Sequence, residues 1–232
     1  MIKNILIALV FPLLLHPSEQ IILIVSEDMQ SYHAKMECFE DGKKLFDTID
    51  VNLGSNGLGW GLGLHKLSQK KGDPIKHEGD KKSPAGIFEL TALFGYEKEN
   101  NFKLLYHHAT KDLLCVDDST SKHYNTIVRD PSDMPKSYEV MQREDHQYEL
   151  GVVVAHNSEA IEQRGSCIFM HVYKRKDAPT AGCSAMSLED IKRVASWLDA
   201  EKKPLLIQIP KSSAKEILEL YPQLKESHLL QK

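Results

Sequence analysis

Two apolar runs constrain this chain more than any other feature: YELGVVVAHN (residues 148–157) and SCIFMHVY (166–173), joined by a connection that contains glycine. Each has the length and apolar patterning of a strand, and both read as central strands. The chain then turns through a small-residue segment ending at Gly182-Cys183 and starts a helix at Ser187. Ser187 followed three residues later by Asp190 is a capping-box type of start, and Leu188, Ile191, Val194, Ala195 and Leu198 form one apolar helix face. Pro204 is expected to stop the helix, and LLIQI (205–209) reads as a further buried strand.

Upstream, residues 20–57 read as a β-meander with a hairpin turn at Asp41-Gly42. Residues 54–63 hold five glycines around Trp60, a turn-rich surface segment; no Gly-Lys-Ser/Thr ending follows, so a phosphate cradle is not indicated. Residues 91–147 lack periodicity and read as a long insertion carrying loops, and the charged tail 211–232, with Ile217, Leu218 and Leu220, reads as a peripheral helix. A chain of 232 residues suits one domain. A net charge of −4 with interspersed signs offers no field for nucleic-acid phosphates.

The first residues, MIKNILIALVFPLLLHPSEQ, place a lysine before an apolar run and polar residues after it, the layout of a secretory signal peptide over 1–20. The run is shorter than the roughly 20 apolar residues that a spanning helix needs. The expected mature protein is exported to the periplasm or cell envelope, with no stable membrane insertion. Such a compartment permits disulfides, and Cys38, Cys115, Cys167 and Cys183 allow three pairings or a mixture of bridge and free thiol; the pairing stays open. Neither C-x-x-C nor H-E-x-x-H spacing is present, so no metal site and no cofactor is expected.

His171 precedes Cys183 by twelve residues. A thiol attacks a carbonyl as thiolate, so it needs a base or a positive field. His171 at a strand end could be the base. The helix start four residues after Cys183 is expected to favour the anion, and Gly182 lets the backbone turn so that nearby amides can hold an oxyanion. Taken alone, the pair also fits a buried thiol and a satisfied strand histidine.

GDKKSPAGIFEL (79–90) resembles the Gly-Asp-x-x-Thr-Pro-x-Gly-x-Phe segment of the L,D-transpeptidase (YkuD-like) catalytic domain, with Ser83 in place of threonine. HVYKRKDAPTAGCSAMS (171–187) resembles that family's His...Ser-His/Asn-Gly-Cys-x-Arg signature, in an atypical Pro-Thr-Ala-Gly-Cys form. The resemblance spans about 20–210, and the domain implied is 21–210. It implies a mainly β fold, an L,D-transpeptidase-like β-sandwich with a few peripheral helices. It also implies a cysteine acyltransferase acting on peptidoglycan stem peptides, with Cys183 as nucleophile, His171 as base and Gly182 as the motif glycine. Two departures stand out: Ala185 where the family has arginine, and Thr180-Ala181 where it has Ser-His/Asn. Without the arginine, the expected balance moves from cross-linking toward hydrolysis, unless Lys174, Arg175 or Lys176 supplies the cation.

Asp118, Ser121, Tyr124 and Asn125, in CVDDSTSKHYN (115–125), are candidate groove residues, as is His65; the competing reading is turn chemistry and a plain loop histidine. Cys167, four residues before His171, is placed by strand alternation on the same face, as a core thiol. Two other functions stay open. One is a hydrolase of the same fold, an L,D-carboxypeptidase or amidase; the other is a non-catalytic envelope-binding scaffold, whose Cys183 would behave as an ordinary thiol instead of one with a depressed pKa.

Overall fold

The computed structural model describes residues 20–64, 67–98 and 100–231. The expected signal peptide, apart from Gln20, lies outside them, as does His65. In chain order the strands are β1 (Gln20–Ser26), β2 (His33–Glu40), β3 (Lys43–Lys44), β4 (Ile49–Asn52), β5 (Leu58–Trp60), β6 (Ser83–Gly95) and β7 (Leu105–His108). They continue as β8 (Leu113–Val116), β9 (Ile127–Arg129), β10 (Tyr138–Val140), β11 (Leu150–Val154), β12 (Phe169–Val172), β13 (Ser184–Met186) and β14 (Leu205–Pro210). The helices are α1 (Leu188–Trp197) and α2 (Ala214–Leu220).

The fold is mainly β and sandwich-like, as the resemblance implies. The main sheet runs β1-β14-β6-β11-β12-β13-β4-β2-β3, and β2 also pairs with β1, so the path closes on itself. Closure explains β1, whose sequence QIILIVS is buried at every position. It lies between β14 and β2 and has no solvent edge to justify alternation. The principal core fills this sheet with Ile22, Leu23, Met36, Phe88, Ile207 and their neighbours, and α1 adds Ile191, Val194 and Ala195. A second, smaller sheet, β10-β8-β9, covers a satellite core of Phe94, Leu113, Cys115, Met141, Tyr148, Cys167, Phe169 and Cys183.

The helix start is where the sequence places it: Ser187 Oγ accepts from Asp190 N–H at 3.0 Å. Its end is not. The helix stops at Trp197, well before Pro204, because the Trp197 carbonyl is taken by Gln20 Nε2 at 2.9 Å and Asp199 caps a separate 3-10 turn at Ala200–Lys202. The glycine segment is a surface turn only in part, at exposed Ser55, Asn56 and Gly63. Gly54, Gly57 and Gly59 are buried around β5, and a Cβ on Gly54 would stand 2.3 Å from the Lys81 carbonyl oxygen. The region expected to be a loop insertion opens inside β6 and supplies β7 to β10. The tail is less helical and less peripheral than its charge suggests. Only Ala214–Leu220 is α-helix, Leu220 is exposed, and Ile217 and Leu224 belong to the main core.

Candidate active site

β12 and β13 are parallel neighbours with His171 opposite Ala185. Cys183, two residues before Ala185, therefore stands beside Phe169 and shares a face with His171. The Phe169 N–H points at Cys183 Sγ at 3.4 Å, and Sγ lies 3.5 Å from the Cys167 carbonyl oxygen. His171 is buried; its Nδ1 is 2.8 Å from the Val172 carbonyl oxygen. A carbonyl only accepts, so Nδ1 carries the proton and Nε2 keeps its lone pair. The Tyr148 ring packs edge-on at 5.4 Å from the His171 ring, and Tyr148 OH donates to Glu139.

The Cys183 backbone is held from both motifs. Ser83 Oγ donates to the Cys183 carbonyl at 2.8 Å and accepts from Gly54 N–H at 2.9 Å. Thr180 Oγ1 donates to the same carbonyl at 2.7 Å and accepts from Gly182 N–H at 3.0 Å. Gly182 has φ of 148°, a region that disfavours a side chain, and a Cβ there would press on the Lys82 carbonyl at 3.1 Å. The two motifs, a hundred residues apart, meet at one carbonyl. Ser83 and Thr180 were legible as motif positions, but not as partners of each other.

The electrostatics differ from the sequence expectation. Burial pushes the Cys183 thiol up to about 12, helped by the Glu139 carboxylate, against the Phe169 N–H, Lys76 and Arg143. Burial also pushes His171 down to about 4, with the Val172 carbonyl opposing. The resting pair is thus thiol and neutral imidazole, not a preformed ion pair. The α1 N-terminus does not reverse this. β13 intervenes as extended chain at about 3.3 Å per residue, and a helix dipole acts mainly within its first turn.

Cys167 is neither a core thiol nor part of a strand. It forms a disulfide with Cys115, has φ of 52°, and precedes β12; Cys38 and Cys183 are free and buried. The bridge ties β8 of the small sheet to the turn carrying the carbonyl next to Sγ.

The candidate groove residues are engaged within the fold. Asp118 accepts from Thr120 N–H, Thr120 Oγ1 and Lys136 N–H, and Ser121 Oγ accepts from His123 N–H, which is turn chemistry. Tyr124 is buried and donates to Glu78, which also accepts from Ser166 Oγ. Asn125 donates to the carbonyls of His156 and Asn157 and accepts from Cys167 N–H, a clamp on the turn beside the thiol. His156 has both ring nitrogens occupied, by Leu62 N–H and the Arg164 carbonyl, and is no reserve base. Lys174, Arg175 and Lys176 are exposed. A cavity of about 890 Å³ around Trp60, Gly86 and Asn157 is lined by neither Cys183 nor His171. Among the described residues no His/Cys/Asp/Glu cluster could hold a metal, and no helix is long and apolar enough to cross a membrane.

The comparison with protein families decides what this His–Cys geometry belongs to: residues 20–207 match the L,D-transpeptidase catalytic domain, YkuD. The chain belongs to that family. The match takes in both motifs and the strands of the closed sheet from β1 to the first half of β14. No curated protein matches the chain. L,D-transpeptidase domains act on peptidoglycan, which sets the substrate class of the family.

Proposed function

We propose that this chain is an exported cysteine acyltransferase acting on peptidoglycan stem peptides. The observation that carries the reading is the His171 Nδ1–Val172 contact at 2.8 Å, which leaves Nε2 basic on the strand beside Cys183. In the first step the Cys183 proton passes to His171 Nε2 as sulfur bonds to the carbonyl carbon at the L-centre of the stem. The carbon–nitrogen bond then breaks, the imidazolium returns its proton to the departing D-residue amine, and a thioester remains on Cys183. An amine acceptor gives a cross-link and water gives a trimmed stem; His171 removes the acceptor proton in either case.

Because both partners are neutral at rest, the thiolate forms with bound substrate rather than before it. Gly182 N–H is already given to Thr180, so the Cys183 amide is the donor assigned to the oxyanion. The segment 115–125 shapes the wall of the site through Tyr124 and Asn125, while Asp118 and Ser121 remain candidates for contact through their exposed surfaces. Export rests on the signal-like residues 1–20.

Hydrolysis is the second reading, favoured by Ala185, which is buried opposite His171 and offers no cation to orient an acceptor. The test supplies tetrapeptide stems with and without an amine acceptor and reads products by mass. Cross-linked dimer identifies a transpeptidase, and tripeptide alone a carboxypeptidase. Full activity in Cys183→Ser would overturn both. Absence of turnover, together with no acyl adduct on Cys183 from a carbapenem-type inhibitor, would leave the scaffold reading.

A further inference from the structure

Lys76 is 3 % exposed, an unusual place for an ammonium, and it sits in the turn between β5 and β6. Burying such a charge costs several kcal/mol unless it is paired, and an apolar side chain of equal length would fill the space without that cost. Its Nζ donates to the His77 carbonyl at 2.7 Å and to Asp80 Oδ1 at 2.6 Å, which uses two of its three N–H groups. Asp80 is shared: Oδ1 also accepts from Lys82 N–H at 2.9 Å and Oδ2 from His77 N–H at 2.8 Å. The carboxylate is therefore only partly spent on the ammonium.

Two glycines make room for this side chain. A Cβ on Gly165 would stand 3.0 Å from Lys76 Cε, and the position of a Cβ on Gly182 lies 3.8 Å from Nζ itself. The ammonium thus lies within van der Waals reach of where a side chain on Gly182, the residue before the nucleophile, would begin.

We propose that Lys76 is a positioning residue that balances the negative charge formed at Cys183, in place of the cation absent at Ala185. The groups that face this charge divide by sign. Glu139 opposes the thiolate, with Tyr148 and neutral His171 beside it, while Lys76 and Arg143 favour it. Arg143 is held by Asp145 through Nε at 2.9 Å and Nη2 at 2.6 Å, and lies over the outer Tyr148 ring. Lys76 is the buried one of these two cations, where the low dielectric strengthens its field. The two signature segments then have a shared purpose: 79–90 not only ties the Cys183 carbonyl through Ser83 but also supplies Asp80, which fixes the cation next to Gly182.

The proposal rests on Cys183 being the nucleophile, but its test needs no substrate. In the full chain, alkylation of Cys183 by iodoacetamide is followed at about pH 8, with peptide mapping to separate it from Cys38. The readout is that rate divided by the hydrogen-exchange rate of the Phe169 amide in the same variant, which reports local opening beside the thiol. Lys76→Met, confirmed folded by its melt, lowers this ratio about tenfold, the thiolate fraction lost with one unit of pKa. Asp80→Asn releases the ammonium that Asp80 fixes and lowers the ratio as well. An internal tie of purely structural value would lower the stability of both variants and change neither ratio. A native ratio in folded Lys76→Met overturns the proposal; if that variant does not fold, a native ratio in Asp80→Asn overturns it. Activity retained by Cys183→Ser would instead sink the nucleophile and leave the measured coupling intact.

Discussion

At His171, Nδ1 fixes the ring on the Val172 carbonyl, and in the proposed reaction Nε2 is the nitrogen that exchanges the proton. His171→Ala should lower turnover by roughly a hundred- to ten-thousand-fold, the usual worth of a general base. Partial recovery at high pH is expected, since hydroxide can then ionise the thiol. An unchanged pH–rate profile would mark His171 as structural. Thr180 supports the same chemistry through two hydrogen bonds, to the Cys183 carbonyl and from Gly182 N–H. Thr180→Val keeps the shape but orphans the Gly182 N–H and leaves the Cys183 carbonyl to Ser83 alone. It should cost about 1–3 kcal/mol in denaturant unfolding and lower kcat more than it raises KM. A variant as stable and active as the native protein would show that the turn holds itself.

Among the elements, the small β10-β8-β9 sheet is the piece that closes the thiol away from water, since Cys115, Met141 and Cys183 belong to one buried cluster. Its attachment is the Cys115–Cys167 bridge, which spans 52 residues of chain. Replacing both cysteines by serine should cost about 2–4 kcal/mol, as expected for a loop of this length. The same change frees the turn that holds the Cys167 carbonyl near Sγ, so Cys183 should be alkylated faster in the double variant. Equal unfolding midpoints with and without reductant for the native protein would show that the bridge contributes nothing.

For the whole molecule, acid sensitivity follows from two buried histidines, His156 and His171, both pushed down to about 4 by burial. Above about pH 6.5, the ordinary histidine value, both states are neutral and their contribution to stability is complete. As pH falls below that value the unfolded chain takes up protons that the folded protein refuses, so stability is lost until about pH 4, where the folded groups also protonate. The slope should approach about 1.4 kcal/mol per pH unit for each histidine within that window. Denaturant unfolding at closely spaced pH values checks it. His156→Asn should reduce the slope, and a flat stability between pH 6.5 and 4 would refute the assignment.

The sequence by itself determined the strands around 150–172, the helix start at Ser187, the strand at 205–209 and the pairing of His171 with Cys183, because each depends on local patterning or on two short signatures. Those signals act between neighbours in the chain. Tertiary structure decided what depends on approach between distant segments. Closure of the sheet buried β1 at every position, and packing around β5 buried Gly54, Gly57 and Gly59. Pairing of Cys115 with Cys167 followed from folding residues 91–147 over the site, which no spacing announces. Burial, not the helix dipole, set the protonation of Cys183 and His171, since desolvation depends on how much protein surrounds a group. Lys76 was one charge among many in the sequence, and only the fold brought its ammonium near Gly182.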